Sequence, residues 1–142
     1  MNRRKRMTGS LITSALAAAG LVTAAATPAF AASHLTIGVN GSTGAYLGYG
    51  NWNSAGGAFG NGTIAVCDHF EDGDNGIIAG LYRNNGATLV NLVSVRGENR
   101  CNTNSVKADG GPRHGELITF KVCSITPDGV WKNCRSENGY NT

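Results

Sequence analysis

Methionine is absent after Met7, and the second half of the chain carries no concentration of one charge. Of twelve Lys and Arg residues, Arg3, Arg4, Lys5 and Arg6 lie at the very start. The other eight, Arg83, Arg96, Arg100, Lys107, Arg113, Lys121, Lys132 and Arg135, are scattered among nine acidic residues. Beyond residue 31 the net charge is therefore −1, and the basic stripe that binding to nucleic acid requires is missing. No stretch in that region keeps apolar residues at helical spacing, so a helical bundle is excluded. Nor does any apolar run there approach the roughly 18 residues of a membrane helix. A nucleophile elbow is lacking too, because Ser42 sits in Gly41-Ser42-Thr43-Gly44 rather than in a G-x-S-x-G turn. His34, His69 and His114 have no base or acid partner readable from spacing. The expectation is a protein that is not an enzyme.

What is present begins with an export signal. The charged start is followed by an Ala-rich apolar run from Leu11 to Ala26, and Pro28-Ala29-Phe30-Ala31 closes the segment. Small residues at Ala29 and Ala31 form the A-x-A pattern at which signal peptidase cuts. Residues 1–31 are thus read as a signal peptide and residues 32–142 as one secreted, extracellular, monomeric domain. A domain of 111 residues buries about 65% of its unfolded surface, enough for a modest core. All four cysteines, Cys67, Cys101, Cys123 and Cys134, lie in this exported part. In an oxidising compartment they imply two disulfides, each contributing about 2–4 kcal/mol, and no free thiol nucleophile.

Gly and Asn dominate the domain, and short alternating runs between turn residues read as strands. Leu35–Val39 is one, Ala45–Tyr49 a weaker second, and Gly50–Gly62 a loop holding Trp52. Thr63–Asp68 places Ile64 and Val66 on one face and Cys67 on the other. Asn84-Asn85-Gly86 predicts a hairpin, because Asn-Gly supplies the positive φ angles of a two-residue turn. That turn sets Leu81 against Val90 and Ala79 against Leu92. The core face is then Ile77, Ala79, Leu81, Val90 and Leu92, with Ile78, Tyr82, Leu89 and Val93 on the other face. Gly97–Gly115 reads as a polar loop. A last hairpin joins Glu116–Ile125 to Val130–Arg135 through Pro127-Asp128-Gly129, and residues after Asn138 form a loose tail. Ile118, Phe120, Val122 and Trp131 point inward and Cys123 outward. About seven such strands predict an all-β, immunoglobulin-like antiparallel β-sandwich stapled by disulfides. Parity favours the pairs Cys123–Cys134 and Cys67–Cys101, with Cys67–Cys123 and Cys101–Cys134 as the alternative.

Three groups of residues suggest ligands. Cleavage after Ala31 leaves Ala32-Ser33-His34 at the new N-terminus. One amine, two amides and an imidazole there can wrap Cu(II) in a square plane. Asp68, Glu71, Asp72 and Asp74 form an oxygen-rich run with a partial likeness to Ca²⁺ loops, lacking the sixth-position Gly and distal Glu of an EF-hand. No cofactor is otherwise implied. Trp52, with Tyr46, Tyr49 and Phe59 nearby, suggests a surface that stacks on a glycan or a protein partner.

On Val66-Cys67-Asp68, Asp74-Asn75-Gly76-Ile77, Arg96-Gly97-Glu98-Asn99 and Phe120-Lys121-Val122-Cys123, the chain resembles small secreted uncharacterised proteins of actinobacteria. That resemblance implies a disulfide-bonded β-sandwich and no particular activity. In size, export, cysteine number and Asp128-Gly129-Val130-Trp131 it is also similar to secreted subtilisin inhibitors, which would make it an inhibitor of extracellular proteases. Its cysteine spacings of 34, 22 and 11 residues depart from theirs, and no reactive-site residue carries over. The Gly97–Gly115 loop is the segment such an inhibitor would present.

The intact mass of the protein recovered from the medium of its host is expected to start at Ala32 and to be four hydrogens light. Retention of residues 1–31, or four free thiols, would overturn the reading of export.

Overall fold

The computed structural model describes residues 33–71, 73–83, 85–107 and 109–142, so the expected signal peptide and Ala32 lie outside the described residues. Eight strands follow one another: β1 (His34–Asn40), β2 (Tyr46–Asn53), β3 (Thr63–Asp68), β4 (Gly76–Arg83), β5 (Thr88–Arg96), β6 (Arg100–Ser105), β7 (Leu117–Ile125) and β8 (Trp131–Tyr140). No helix occurs among the described residues. All pairings are antiparallel and give two four-stranded sheets, β1-β2-β3-β6 and β5-β4-β7-β8. The chain is thus an all-β sandwich; the strand order differs from the four-plus-three arrangement of an immunoglobulin constant domain.

The core lies where the alternation of each strand turns its apolar residues inward. Ile37, Val39, Trp52, Ile64 and Val66 come from the first sheet. Ile77, Ala79, Leu81, Val93, Ile118, Phe120 and Val122 come from the second. A fully buried aliphatic or aromatic side chain of this kind stabilises by about 1.5–3 kcal/mol. The two sheets approach closely at Gly50, on the inner face of β2. A methyl group there would lie 2.5 Å from Val122 Cγ2 and 3.2 Å from Phe120 Cζ. Glycine at 50 is therefore what lets the large side chains of β7 fill the middle of the sandwich.

Two open sheets leave four edges, and side chains close them in pairs. Asn102 and Asn104 of β6 lean across to β5, where Asn102 Nδ2 donates to Ser94 O at 2.9 Å. Asn104 Nδ2 donates to Asn91 Oδ1 at 3.0 Å and to Leu92 O at 3.4 Å. Asn91 returns the bond to Ser105 O at 3.1 Å. On the opposite side Tyr140 N donates to Ser33 Oγ at 3.2 Å. Carbonyls of β5 and β6 and an amide of β8 that would otherwise template another strand are thus occupied.

Several expectations need correction. Trp52 is not in a loop: β2 continues through it to Asn53, and its side chain is completely buried. Gly48 and Gly50 before it reflect tight packing between the sheets, while Gly56, Gly57, Gly60 and Gly62 after it take positive φ in the β2–β3 loop. The polar stretch after Gly97 contains β6, whose Thr and Asn residues pair with β3 and stitch the edge. A polar strand at an edge carries no hydrophobic alternation to reveal it. In the β4–β5 hairpin, Asn85 and Gly86 do take positive φ. The connection is longer than two residues, however, and a bulge falls between Leu81 and Tyr82. Leu81 therefore faces Asn91 and Ala79 faces Val93. Val93 joins the core, while Leu92 becomes exposed and Val90 only partly buried.

The far end of β8 is no loose tail. The strand runs to Tyr140, and buried Asn141 donates from its backbone N to Glu116 O and from Nδ2 to Pro112 O. Trp131 is not in the main core either. In β8, Asn133 and Cys134 together oppose the single residue Cys123, with Asn133 in the left-handed region at φ 51°. Such a bulge resets the parity of the strand. It brings Cys134 to Cys123 and swings Trp131 to the outer face, against Ile78, Cys123 and Ile125.

Both disulfides are formed, Cys67–Cys101 between β3 and β6 and Cys123–Cys134 between β7 and β8, each joining residues 4.1 Å apart at Cα. Formed disulfides are the chemistry of an oxidising compartment.

Gly50→Ala is expected to lower stability by about 1–3 kcal/mol through overpacking against Val122 and Phe120, measured from the urea midpoint at unchanged slope. A variant as stable as the parent would show that the sheets can separate there at no cost.

Candidate functional site

The outer face of the first sheet combines exposed rings with short polar side chains. Pairing places His34, Asn53, Thr63 and Ser105 in one row across the four strands. Thr36, Asn51, Ala65 and Thr103 form the next, and Gly38, Tyr49, Cys67 and Cys101 the third. No large aliphatic side chain stands on these rows, which leaves a low, polar surface. It is partly organised already: Asn51 Nδ2 lies 2.6 Å from His34 Nε2 and donates to Thr36 Oγ1 at 2.9 Å.

Three rings border that surface. The imidazole of His69, just after β3, stacks on Tyr49 at 5.6 Å between centroids and 18° between planes. It also stacks on Tyr46 at 6.1 Å and 26°. Tyr46 lies over Gly38, with its Cε2 only 3.3 Å from where a methyl group at 38 would stand, and it remains half exposed. His69 Nδ1 meets Asn99 Oδ1 at 3.3 Å, and its backbone N donates to Leu47 O. Partial burial, and secondarily the neighbouring Tyr49, push the Tyr46 phenol above its ordinary value of 10.0, so it stays a neutral donor at physiological pH. A row of parallel rings beside oriented amides and hydroxyls suits a ligand with one apolar face and many polar edges.

The sequence singles out Tyr46 and Tyr49 but groups them with the wrong neighbours. Trp52 points into the core, and Phe59 is exposed on the β2–β3 loop. His69 and Asn51 are missing from the expected surface. With β2 continuing to Asn53, strand parity sets Tyr49 and Asn51 on the outer face and Trp52 on the inner one.

Of the candidate copper ligands, Ser33 and His34 are engaged in the sandwich. Ser33 N donates to Ser54 Oγ at 3.0 Å, Ser33 O accepts from Ser54 N, and His34 starts β1 opposite Asn53. Successive amides of an extended strand point to opposite sides, whereas the square-planar wrap needs both on one side. Copper would have to peel residues 33 and 34 from β2, and Ala32 lies outside the described residues.

The acidic run is dispersed in a similar way. Asp68 is buried, its Oδ1 accepting from Phe70 N at 3.3 Å and its Oδ2 from Gly97 N at 3.1 Å. It ties two connections together. Glu71 and Asp74 are exposed, and Asp72 lies outside the described residues. Among the described residues no group of three or more His, Cys, Asp or Glu side chains is arranged to hold a metal ion.

The remainder of the expected inhibitory loop, after β6, is pinned. Val106 is buried, and Glu116 gathers the segment beyond it. Glu116 Oε2 accepts from Arg113 N at 2.7 Å, and its Oε1 from Arg83 Nε at 2.9 Å. The Arg113 amide, with the Arg83 hydrogen bond and charge adding to it, holds the Glu116 carboxyl below the usual range against the opposing effect of burial.

No family model matches the chain, and no curated protein does. Among solved structures it is similar to the crystal structure of an endonuclease/exonuclease/phosphatase from Beutenbergia cavernae DSM 12333, at 18% identity and a TM-score of 0.48. The match covers 77% of this chain and 27% of that one, so this chain spans about a quarter of that protein's length. So distant a likeness assigns no activity.

Because the folded Glu116 carboxyl titrates below its unfolded value of about 4.3, its contribution is present above that pH and is lost as pH falls through the folded value. Hydrogen exchange of residues 111–116 should therefore accelerate relative to the β4 and β7 amides as pH drops below about 4, and Glu116→Gln should remove that step. A flat relative exchange profile in the parent would refute the anchoring role.

Proposed function

We propose that this protein is an exported, non-enzymatic binding module that takes an extracellular glycan on the outer face of the first sheet. The observation that carries this reading is the stack of Tyr46, His69 and Tyr49 beside the low polar rows around Asn51. A pyranose ring presents an apolar C–H face and a rim of hydroxyl groups. The rings offer the first a flat apolar support, and Thr36, Asn51, His34 and Thr103 offer the second donors and acceptors. Asn51 is already oriented by two neighbours, so less side-chain entropy is lost when a ligand binds. Export supplies the setting, since both disulfides fit an oxidising compartment.

The test is depletion of the folded protein by insoluble cellulose, chitin and host cell walls, followed by titration with soluble oligosaccharides. At least one polysaccharide is expected to retain the parent. Tyr49→Ala is expected to weaken binding about tenfold, as loss of a stacking anchor does, while Phe59→Ala, on the β2–β3 loop and not part of the stack, should leave it unchanged. Retention by none of these materials would overturn the reading. Capture by a surface protein through the same Tyr49-dependent face would replace the glycan with a protein partner.

A further inference from the structure

Residues next to the stacked rings in the chain line a cavity. Where the first sheet ends, the β1–β2 turn, the β3–β4 connection and the end of the β7–β8 hairpin border a half-open cavity of about 280 Å³. Ligand pockets begin at about 300 Å³, so this one has room for a single sugar residue. Tyr46, Tyr49 and His69 do not line it, but their chain neighbours do. Phe70, which lines it, follows His69, and Ala45 and Leu47, which also line it, flank Tyr46.

The lining is unlike the polar rows on the sheet. Ser42 and Thr43 bring hydroxyls, Asn75 and Asn133 bring amides, and Phe70 brings a ring that is 40% exposed. Lys132 brings the one positive charge on this lining. Lys132 forms no salt bridge among the described residues. The nearby Asp128 carboxylate accepts from the hydroxyl of Thr126. That bond first, then its own backbone amide and the Lys132 charge, hold it below its ordinary range, so Lys132 already faces one exposed carboxylate that a ligand carboxylate joins. Glu71 and Asp74, on the same connection as Phe70, are exposed and do not line the cavity. Asn133 is fixed by donating to Ser124 Oγ at 3.0 Å, which in turn donates to Lys132 O at 3.1 Å. The bulge that aligns Cys134 with Cys123 thus also sets Lys132 and Asn133 at the mouth of the cavity.

We propose that this cavity is a subsite for a pyranose that carries a carboxylate, a uronic acid or a sugar of like charge, with Lys132 as the residue that selects the acid. The inference rests on the glycan reading of the adjoining face and gives that glycan a charge. The ring of the acidic sugar lies against Phe70, its hydroxyl groups meet Ser42, Thr43 and Asn75, and its carboxylate meets the Lys132 ammonium. No bond is made or broken.

Galacturonate and galactose differ at this one group, and as monosaccharides they test the cavity without the sheet. In amide chemical-shift titrations of the folded protein, galacturonate is expected to move Lys132, Asn75 and Phe70, and to bind about tenfold more tightly than galactose, as a charge-assisted hydrogen bond implies. Lys132→Gln should abolish that preference and Lys132→Arg should retain most of it; Tyr49→Ala should leave it intact. Lys132 is exposed, so neither substitution threatens the fold. Equal response to both sugars, or a preference that survives Lys132→Gln, would overturn the inference. An equal response to free glutamate would also overturn it, because a carboxylate without a sugar would then suffice. Binding of neutral oligosaccharides that is lost in Tyr49→Ala would leave the glycan reading standing in each of those cases. Preference for galacturonate without any oligosaccharide binding to the sheet would retain the cavity and remove the stack.

Discussion

A sandwich of two short open sheets stands or falls on its edges. Every edge strand exposes a row of unpaired carbonyl and amide groups, and each buried group left unpaired costs about 1–3 kcal/mol. Here β5 and β6 lie side by side in different sheets and cannot form a regular ladder. Asparagine resolves the geometry, because its side chain carries the same amide group as the backbone on a short arm. Asn91, Asn102 and Asn104 reach across and complete the bonds. The abundance of asparagine, read from composition as turn chemistry, is in part edge chemistry. With the sides closed in this way, the outer faces remain available for other work.

The disulfides and the β8 bulge act on the same problem at the next level. Cys67–Cys101 ties the edge strand β6 to β3, and Cys123–Cys134 ties the edge strand β8 to β7. Each bridge thus secures a strand that has only one backbone neighbour. The second requires a residue to be inserted at Asn133, and that insertion has consequences away from the sulfur atoms. It turns Trp131 out of the core into a small outer cluster, and it sets Lys132 and Asn133 beside the cavity. Lys121 Nζ then lies 5.9 Å from the Trp131 ring centroid, a cation–π contact on the outer face.

The two surfaces with chemical character share one cause. The β1–β2 turn and the β3–β4 connection meet at one end of the sandwich, where the backbone N of His69 donates to Leu47 O at the start of β2 and the Asp68 carboxylate ties the β3–β4 connection to the β5–β6 turn. Asp68, the first carboxylate of the acidic run that suggests calcium from its composition, fixes this junction. His69 and Phe70 emerge from it in succession. One stacks on the tyrosines, and the other lines the cavity.

The sequence alone determined the all-β class, the two disulfide pairs that parity favours, and the inward faces of β3 and β7, because alternation and tight turns are local properties. Ile64, Val66, Ile118, Phe120 and Val122 are where the pattern places them. Tertiary structure alone decided the rest. Bulges between Leu81 and Tyr82 and opposite Cys123 shift parity by one residue, and that single residue moves Val93 in, Leu92 out and Trp131 to the opposite face. No local propensity marks such a shift. The course of β2 through Gly48 and Gly50, and the polar strand β6, depend on what the opposing sheet requires, namely room for Phe120 and partners for the carbonyls of β5. The approach of His69 to Tyr46 and Tyr49, and of Phe70 to Lys132, joins residues separated by 20 to 62 positions. Only packing brings such residues together, since spacing along the chain carries no record of it.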